Sequence, residues 1–274
     1  MIFHLPITRR PLAILVLTGA TVFGSACAPR ITTDQEVQMG EDLAAEINRE
    51  LPIVDVPPIH GYINDLGSTI ARTADPRDIP YSFYVVNTAE VNAFAVPGGH
   101  VYLFRGLIER TENLSELAGV VAHEVAHVVE RHGIEQWRRA QQAQMGLALA
   151  SILLGGIPDP AAVAIELGAA GVFAGYSRDA EREADEEAVD YLVEVGIHPE
   201  GLVTFFEKLL EERRREPGAL EQFFATHPTT EERMENTRGH IAAIPADQLA
   251  GLQQDSDAFQ QFRQQVIQLP PPPQ

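Results

Sequence analysis

The sequence predicts a mostly helical α+β domain with a small β-sheet beside one central helix. Two observations carry this. Long segments with apolar residues at helical spacing lie on both sides of one short region, residues 81–104, that is rich in aromatic and β-branched residues. The 274 residues are 45% hydrophobic, enough for one sizeable core, and show no internal repeat.

From Asp34 to Leu51, Val37, Leu43, Ala44, Ile47 and Leu51 recur at helical spacing, with Asp34 as the expected cap. Pro52 to Pro58 reads as a linker. Ile59 to Thr73 repeats the helical pattern through Tyr62, Ile63, Leu66 and Ile70. Tyr81 to Asn87 reads as a strand, and Ala93–Val96 and Val101–Phe104 as two more around Pro97-Gly98-Gly99. Leu114 to His132 is a helix whose start carries a capping box, Asn113 with Glu116, and whose end places Gly133 at the C′ position. Gln141 to Tyr176 is rich in Ala, Gly and Leu, broken by Gly155-Gly156 and Pro158-Asp159-Pro160, and reads as a helical hairpin. Helices come next over Arg178–Val195, Pro199–Arg215 and Thr229–His240, the last opening on a Thr229/Glu232 box. The end, Pro270 to Pro273, is expected to be disordered.

The N-terminus reads as an export signal outside the fold. Arg9 and Arg10 precede a short apolar run, Leu12 to Phe23, and then Gly24-Ser25-Ala26-Cys27. The last four resemble a bacterial lipobox, with Gly24 where leucine is usual. Cys27 is then the lipidated first residue of the mature chain, and Ala28 in place of aspartate after it points to the outer membrane. The rival reading is cleavage after Ala28 and plain secretion, with Pro29 following the cut; Thr8-Arg9-Arg10 also hints at a twin-arginine signal. The expected organisation is a signal peptide over 1–27, a catalytic domain over 34–240, and a C-terminal helix with a Pro-rich tail over 241–274.

With 39 acidic against 20 basic residues the net charge is −19, so nucleic acid is not an expected partner. Cys27 is the single cysteine, which excludes an intrachain disulfide and a cysteine-based metal site. A metal would have to be held by His, Asp or Glu.

His123-Glu124-Val125-Ala126-His127 fits the pattern H-E-x-x-H. Histidines at i and i+4 share one helix face, about 5–6 Å apart at Cβ, and reach one metal ion. Glu124 is rotated by about 100° from His123, beside the metal and not on it, where a general base belongs. In projection, Leu117, Ala118, Val121, Val125, Val128 and Val129 form an apolar stripe, and the histidines point away from it towards a cleft. On the later helix Glu181 and Asp185 fall on the apolar face with Ala184, Ala188, Leu192 and Val195, while Glu183, Glu186, Glu187, Asp190 and Glu194 face solvent. Two inward carboxylates need a partner: a metal, a metal-bound histidine, or an arginine.

Taken together, His123-Glu-x-x-His127 and Glu181-x-x-Ala184-Asp185 resemble the HtpX-like and CAAX prenyl protease family of zinc metallopeptidases, most closely its single-domain periplasmic members. Asn92-Ala93-Phe94-Ala95 with Pro97-Gly98-Gly99, Ser177-Arg178, and His227-Pro228 with Arg233 six residues after the histidine extend the likeness over about 34–240. The resemblance implies a zincin-like fold and one Zn2+ per chain on His123, His127 and Glu181, with Asp185 orienting a ligand histidine and Glu124 as base. His227 and Arg233 become candidates for stabilising the oxyanion, and in periplasmic members the equivalent histidine can instead occupy the open zinc position and hold the enzyme inactive. The Asn92–Val96 strand is either an edge that pairs with an extended substrate or an ordinary hairpin strand. His132 most simply complements a helix C-terminus. The long membrane helices of the prenyl proteases and the C-terminal repeats of some relatives have no counterpart here, so their functions are not implied.

The expected function is a zinc endopeptidase of the bacterial cell envelope that acts on unfolded or misfolded envelope proteins. It would sit in the periplasm, held to the membrane by its lipid. The alternative is a chaperone-like binding protein whose zinc site His227 holds shut.

Overall fold

The computed structural model describes residues 30–153 and 175–272 apart from 217, 219 and 229, without the side chains of 143–153. Cys27 and its signal segment, Thr229, and most of the expected hairpin after Leu153 lie outside the described residues.

Helix α1 (Thr33–Glu50) is capped by Thr32, not Asp34. The Thr32 hydroxyl accepts from the Gln35 N–H at 3.3 Å and Gln35 returns an acceptor to the Thr32 N–H at 3.0 Å, so both orphan donors are met. The Pro52–Pro58 stretch is more than a linker: Ile53 bridges Val86, and Pro57 already opens α2 (Pro57–Ala74), where a missing N–H costs nothing.

Strands β1 (Ser82–Val86), β2 (Ala93–Val96) and β3 (His100–Phe104) form one sheet in the order β1-β3-β2. β1 runs parallel to β3 and β2 antiparallel to it, so β2 is an edge. The turn between them needs positive φ at Gly98 (83°) and Gly99 (95°), which glycine adopts without a Cβ clash. On one face Tyr84, Tyr102 and Phe94 stack at 4.7 and 4.8 Å and pack on Ile47 of α1 and on Leu51 just after it. The other face, with Phe83, Val85, Val101 and Leu103, joins the main core.

After the short α3 (Arg105–Ile108) comes α4 (Leu114–Val129), the centre of the molecule. Asn113 caps it as expected, accepting from the Glu116 N–H at 3.0 Å. The box is not closed, because the Glu116 carboxylate turns to the Glu112 N–H at 2.7 Å and to Lys208 at 2.8 Å. The helix also ends earlier than the sequence suggests. Arg131 takes a left-handed φ of 58°, and a new helix, α5 (His132–Leu153), starts at once with Gly133 inside it. The apolar stripe is only part of the packing surface: every residue from Leu114 to Val128 is buried, the histidine face included.

Helices α6 (Arg178–Glu194) and α7 (Glu200–Arg215) pack on α4, followed by α8 (Glu221–Thr226), α9 (Glu231–Ala243), α10 (Ala246–Leu249) and α11 (Asp257–Ile267). α9 is capped by Thr230, which accepts from the Arg233 N–H at 3.2 Å, so it starts two residues later than expected. The 241–274 segment adds to the main core through Phe259, Phe262 and Val266, and Phe262 stacks on Tyr62 at 4.5 Å. The chain stays attached as far as Pro270, whose carbonyl accepts from Arg105 at 2.8 Å; there the expected disorder does not hold. Among the described residues no helix is long and apolar enough to cross a membrane.

The α4–α7 crossing is set by Gly119. A Cβ there would stand 2.8 Å from Leu202 Cα, closer than two carbons can approach. In an exposed helix, Gly→Ala stabilises by about 1 kcal/mol. Gly119→Ala is expected to do the opposite, lowering the denaturant-unfolding free energy by about 1–3 kcal/mol.

Candidate metal centre

The central helix α4 turns His123 and His127 towards α6, and their Nε2 atoms stand 3.1 Å apart. α6 begins at Ser177, whose hydroxyl accepts from the Ala180 N–H at 3.2 Å, and this cap sets Glu181 in the first turn. The Glu181 oxygens lie 3.4 Å from His127 Nε2 and 3.6 Å from His123 Nε2. His227, at the end of α8, brings Nδ1 to 3.1 Å from Glu181 and 3.4 Å from His123 Nε2. One ligand atom from each of these four side chains falls within 4.8 Å of the others, and none of the four is more than 2% exposed.

This donor set suits zinc. Lone pairs of two imidazoles and a carboxylate converge in a space closed to water, an arrangement that only a shared proton or a cation relieves. Burial works against a charged His123, but Asp185 and Glu181 reverse that and push it up to about 9. A metal ion replaces such a proton when it binds. Burial holds His127 well below its ordinary value, so it is a neutral donor. For Glu181 burial acts upward; the charges of His227 and Arg233 with hydrogen bonds from both ligand histidines outweigh it and keep the carboxylate ionised.

Glu124 stands beside this cluster, with Oε1 3.4 Å from His227 Nε2. Its Oε2 is buried without a hydrogen-bond partner. Burial raises its pKa, more than the neighbouring His227 and His123 lower it, which makes it a stronger base than an exposed glutamate.

Asp185, one turn after Glu181, has Oδ1 3.0 Å from His123 Nδ1, at an angle outside good hydrogen-bond alignment. Arg233 grips Asp185 with two bonds of 2.7 Å and also donates to Glu181 and, at 3.2 Å, to the Pro228 carbonyl. The arginine foreseen as an alternative partner for the inward carboxylates is therefore present, on the same carboxylates that face the histidines. The Arg233 guanidinium, suggested above as a candidate for the oxyanion, is here engaged by Asp185 and Glu181.

Asn92–Ala95 runs alongside α4. Phe104 donates to the Asn92 carbonyl at 3.0 Å, so by antiparallel alternation the backbone groups of Ala93 and Ala95 turn away from β3. The Ala95 backbone lies near enough to the Glu124 carboxylate to act on its pKa in the downward direction, and the Ala93 N–H is held by Asn92 Oδ1 at 3.0 Å.

Three residues at the site escaped the sequence reading. Tyr176 stacks on His127 with ring centroids 3.9 Å apart. His132, expected at a helix C-terminus, instead begins α5, buried, with Nδ1 2.9 Å from His127 Nδ1. Glu183, expected to face only solvent, reaches His132 Nε2 at 3.2 Å. Helical projection does not find these contacts: Tyr176 precedes its helix, His132 comes after the Arg131 break, and Glu183, on the polar side of α6, gains its partner only through that break.

Removing Arg233 leaves Glu181 and Asp185 buried without their cation. Arg233→Ala should cost about 3–5 kcal/mol in metal-free protein, and added zinc should restore part of it. Thermal melts with chelator and with zinc measure both; equal losses in the two conditions would contradict the shared carboxylates.

Comparison with known proteins agrees with this geometry. The profile described as Peptidase family M48 matches residues 59–241. The chain is 34% identical over 225 residues to the β-barrel assembly-enhancing protease of Escherichia coli (strain K12), covering 78% of this chain and 45% of that protein. It is 33% identical over 175 residues to the metalloprotease YcaL of the same strain, covering 60% and 63%. It is 32% identical over 185 residues to the metalloprotease LoiP, also of that strain, covering 66% and 70%. The chain thus spans just under half the length of the β-barrel assembly-enhancing protease. The matched region holds the helix of His123 and His127, the helix of Glu181 and Asp185, and the His227–Arg233 segment, and on that footing the chain belongs to peptidase family M48, a family of zinc metallopeptidases.

Proposed function

We propose that this chain is a zinc endopeptidase of the bacterial cell envelope that hydrolyses misfolded or stalled envelope proteins. The observation that carries the reading is the buried convergence of His123, His127 and Glu181 beside a glutamate, Glu124, whose Oε2 has no hydrogen-bond partner. The envelope assignment is supported by the lipobox-like sequence at Cys27 and by the relatives named for enhancing β-barrel assembly.

When bound, zinc supplies Lewis acidity to a water and to the scissile carbonyl. The residues of the chain do the rest. Glu124, made more basic by burial, takes the proton from the attacking water and delivers it to the leaving amine. Asp185 steadies His123, and Arg233 steadies Asp185 and Glu181. The carbonyls of Ala93 and Ala95, which turn away from β3, are the groups an extended substrate would pair with, and such pairing reads little side-chain identity. Asn92 shapes that edge by holding the Ala93 N–H.

His227 supports the proposal of a closed resting form. It sits 1% exposed between Glu124 and Glu181, and on this reading it closes the side from which substrate comes. The same closure favours the second reading, a chaperone-like protein with an auto-inhibited zinc site.

Zinc analysis and casein cleavage by wild type, Glu124→Gln and His227→Ala test these readings together. Wild type should carry one zinc per chain and cleave casein. Glu124→Gln should keep the zinc and lose at least about a hundredfold in rate; retained turnover would rule out the base. His227→Ala should cleave faster than wild type. A fall of about ten- to a thousandfold would instead make His227 an oxyanion donor, and no change would remove both roles. Stoichiometric zinc with no cleavage by wild type or His227→Ala would favour the binding protein.

For the anchor, mass spectrometry of the mature chain from a bacterial envelope should find a diacylglyceryl-modified Cys27 at the N-terminus. An unmodified chain starting elsewhere would reject the lipid anchor.

A further inference from the structure

We infer that His132 and Glu183 are positioning residues for the metal ligand His127: together they fix its ring orientation and its tautomer. The inference rests on the zinc reading of the His123–His127–Glu181 cluster and adds two side chains to it.

Proton counting assigns each ring nitrogen. His127 Nε2 is the atom turned towards Glu181 and His123. To give a lone pair there, the neutral ring must carry its proton on Nδ1. That proton points at His132 Nδ1, 2.9 Å away. His132 must then accept at Nδ1 and carry its own proton on Nε2. The group facing that nitrogen at 3.2 Å is the Glu183 carboxylate, an acceptor only. Each position has one consistent assignment, and the chain runs from carboxylate to imidazole to imidazole to ligand nitrogen. An acceptor behind a ligating histidine raises its basicity and holds its ring in place.

The backbone is shaped for this contact. A helix continuing from α4 would carry His132 about 140° round the axis from His127. The left-handed residue Arg131 stops α4 and restarts the chain as α5, which folds the His132 ring back against His127. His132 is only 6% exposed, so the contact is dry on the ligand side. Tyr176 stacks on the face of the His127 ring while His132 holds its edge. His123 is backed directly by Asp185, so each ligand histidine has a carboxylate behind it, one directly and one through a second imidazole.

The test is zinc affinity by chelator competition, with the Co(II) absorption spectrum and the melting temperature of the metal-free protein read in parallel. His132→Ala should weaken zinc binding about 10- to 100-fold and alter the Co(II) bands. His132→Asn, which puts an oxygen acceptor close to the lost Nδ1, should recover much of that. Glu183→Ala, at a half-exposed position that the fold does not depend on, should weaken binding several-fold. It should add nothing in the His132→Ala background. Glu186→Ala, exposed on the same helix, should leave affinity unchanged. The inference is overturned if wild type binds zinc and His132→Ala matches it in affinity and spectrum. It is equally overturned if His132→Asn is as weak as His132→Ala while both lower the metal-free melting temperature alike, since that marks a packing role. A wild-type chain that binds no zinc would overturn the metal reading itself, and this inference with it.

Discussion

Two carboxylates and an arginine are enclosed at the centre of this molecule, and their need for one another governs how its helices meet. Glu181 and Asp185 are 0% and 2% exposed, and Arg233 4%. An unpaired charge at such depth costs several kcal/mol, a large share of a domain's net stability. The two acids are four residues apart, one turn of α6, and so present a double acceptor to one side. Arg233 spans both from α9, and His123 and His127 meet them from α4. The α4–α6–α9 arrangement is therefore fixed by charge as well as by apolar packing. The metal donors are a by-product of the same pairing, since the atoms that satisfy Arg233 and the histidines are the ones a cation would use.

Precision at the centre comes from where each part is mounted. The histidines and Glu124 stand on a helix that is buried from Leu114 to Val128, a support that close packing makes hard to deform. Glu181 and Asp185 stand on a capped helix pressed against it. His227 and Tyr176 come from chain outside these helices: one comes directly after the six-residue α8, the other precedes the Ser177 cap. Rigid elements thus hold the groups that have to stay in register, and connecting segments hold those that close over them.

Features with a local period were legible in the sequence. H-E-x-x-H, the inward placement of Glu181 and Asp185, the three strands and the glycine turn are all local patterns, and the structure places them within a residue or two. Helix ends were less legible. Thr32 in place of Asp34, Thr230 in place of Thr229, and the Arg131 break in place of a Gly133 cap each turned on a choice between neighbouring residues of similar aptitude. Projection of α4 separated an apolar stripe from a histidine face but not burial from exposure, because α6, Phe206 of α7 and His227 cover the polar face too. The outer partners His132, Glu183 and Tyr176 were not visible, since a left-handed residue and a helix boundary bring them in and no helical period marks either.

The closed geometry also constrains how the proposed active form can arise. On the proposed reading, a peptide bond presented to Glu124 competes for space with the His227 ring, whose Nε2 lies 3.4 Å from Glu124 Oε1. The ligand helices cannot yield that space, because moving α6 would separate Glu181 and Asp185 from Arg233 and moving α4 would separate the histidines from Glu181. Beyond His227 the chain is pinned almost at once: Arg233 holds the Pro228 carbonyl, and Thr230 caps α9. The side before His227 is held by less, the single short turn of α8 with Phe223 and Phe224 in the core. A backbone hydrogen bond from Tyr176 to the Thr226 carbonyl, 3.1 Å, ties that turn to the chain entering α6. Withdrawal of His227 on the proposed reading therefore proceeds through α8, and it loosens the strand of chain that carries Tyr176 against His127. Opening the substrate side and relaxing the ring that covers a metal ligand become one motion, while the carboxylate, arginine and histidine framework beneath stays paired.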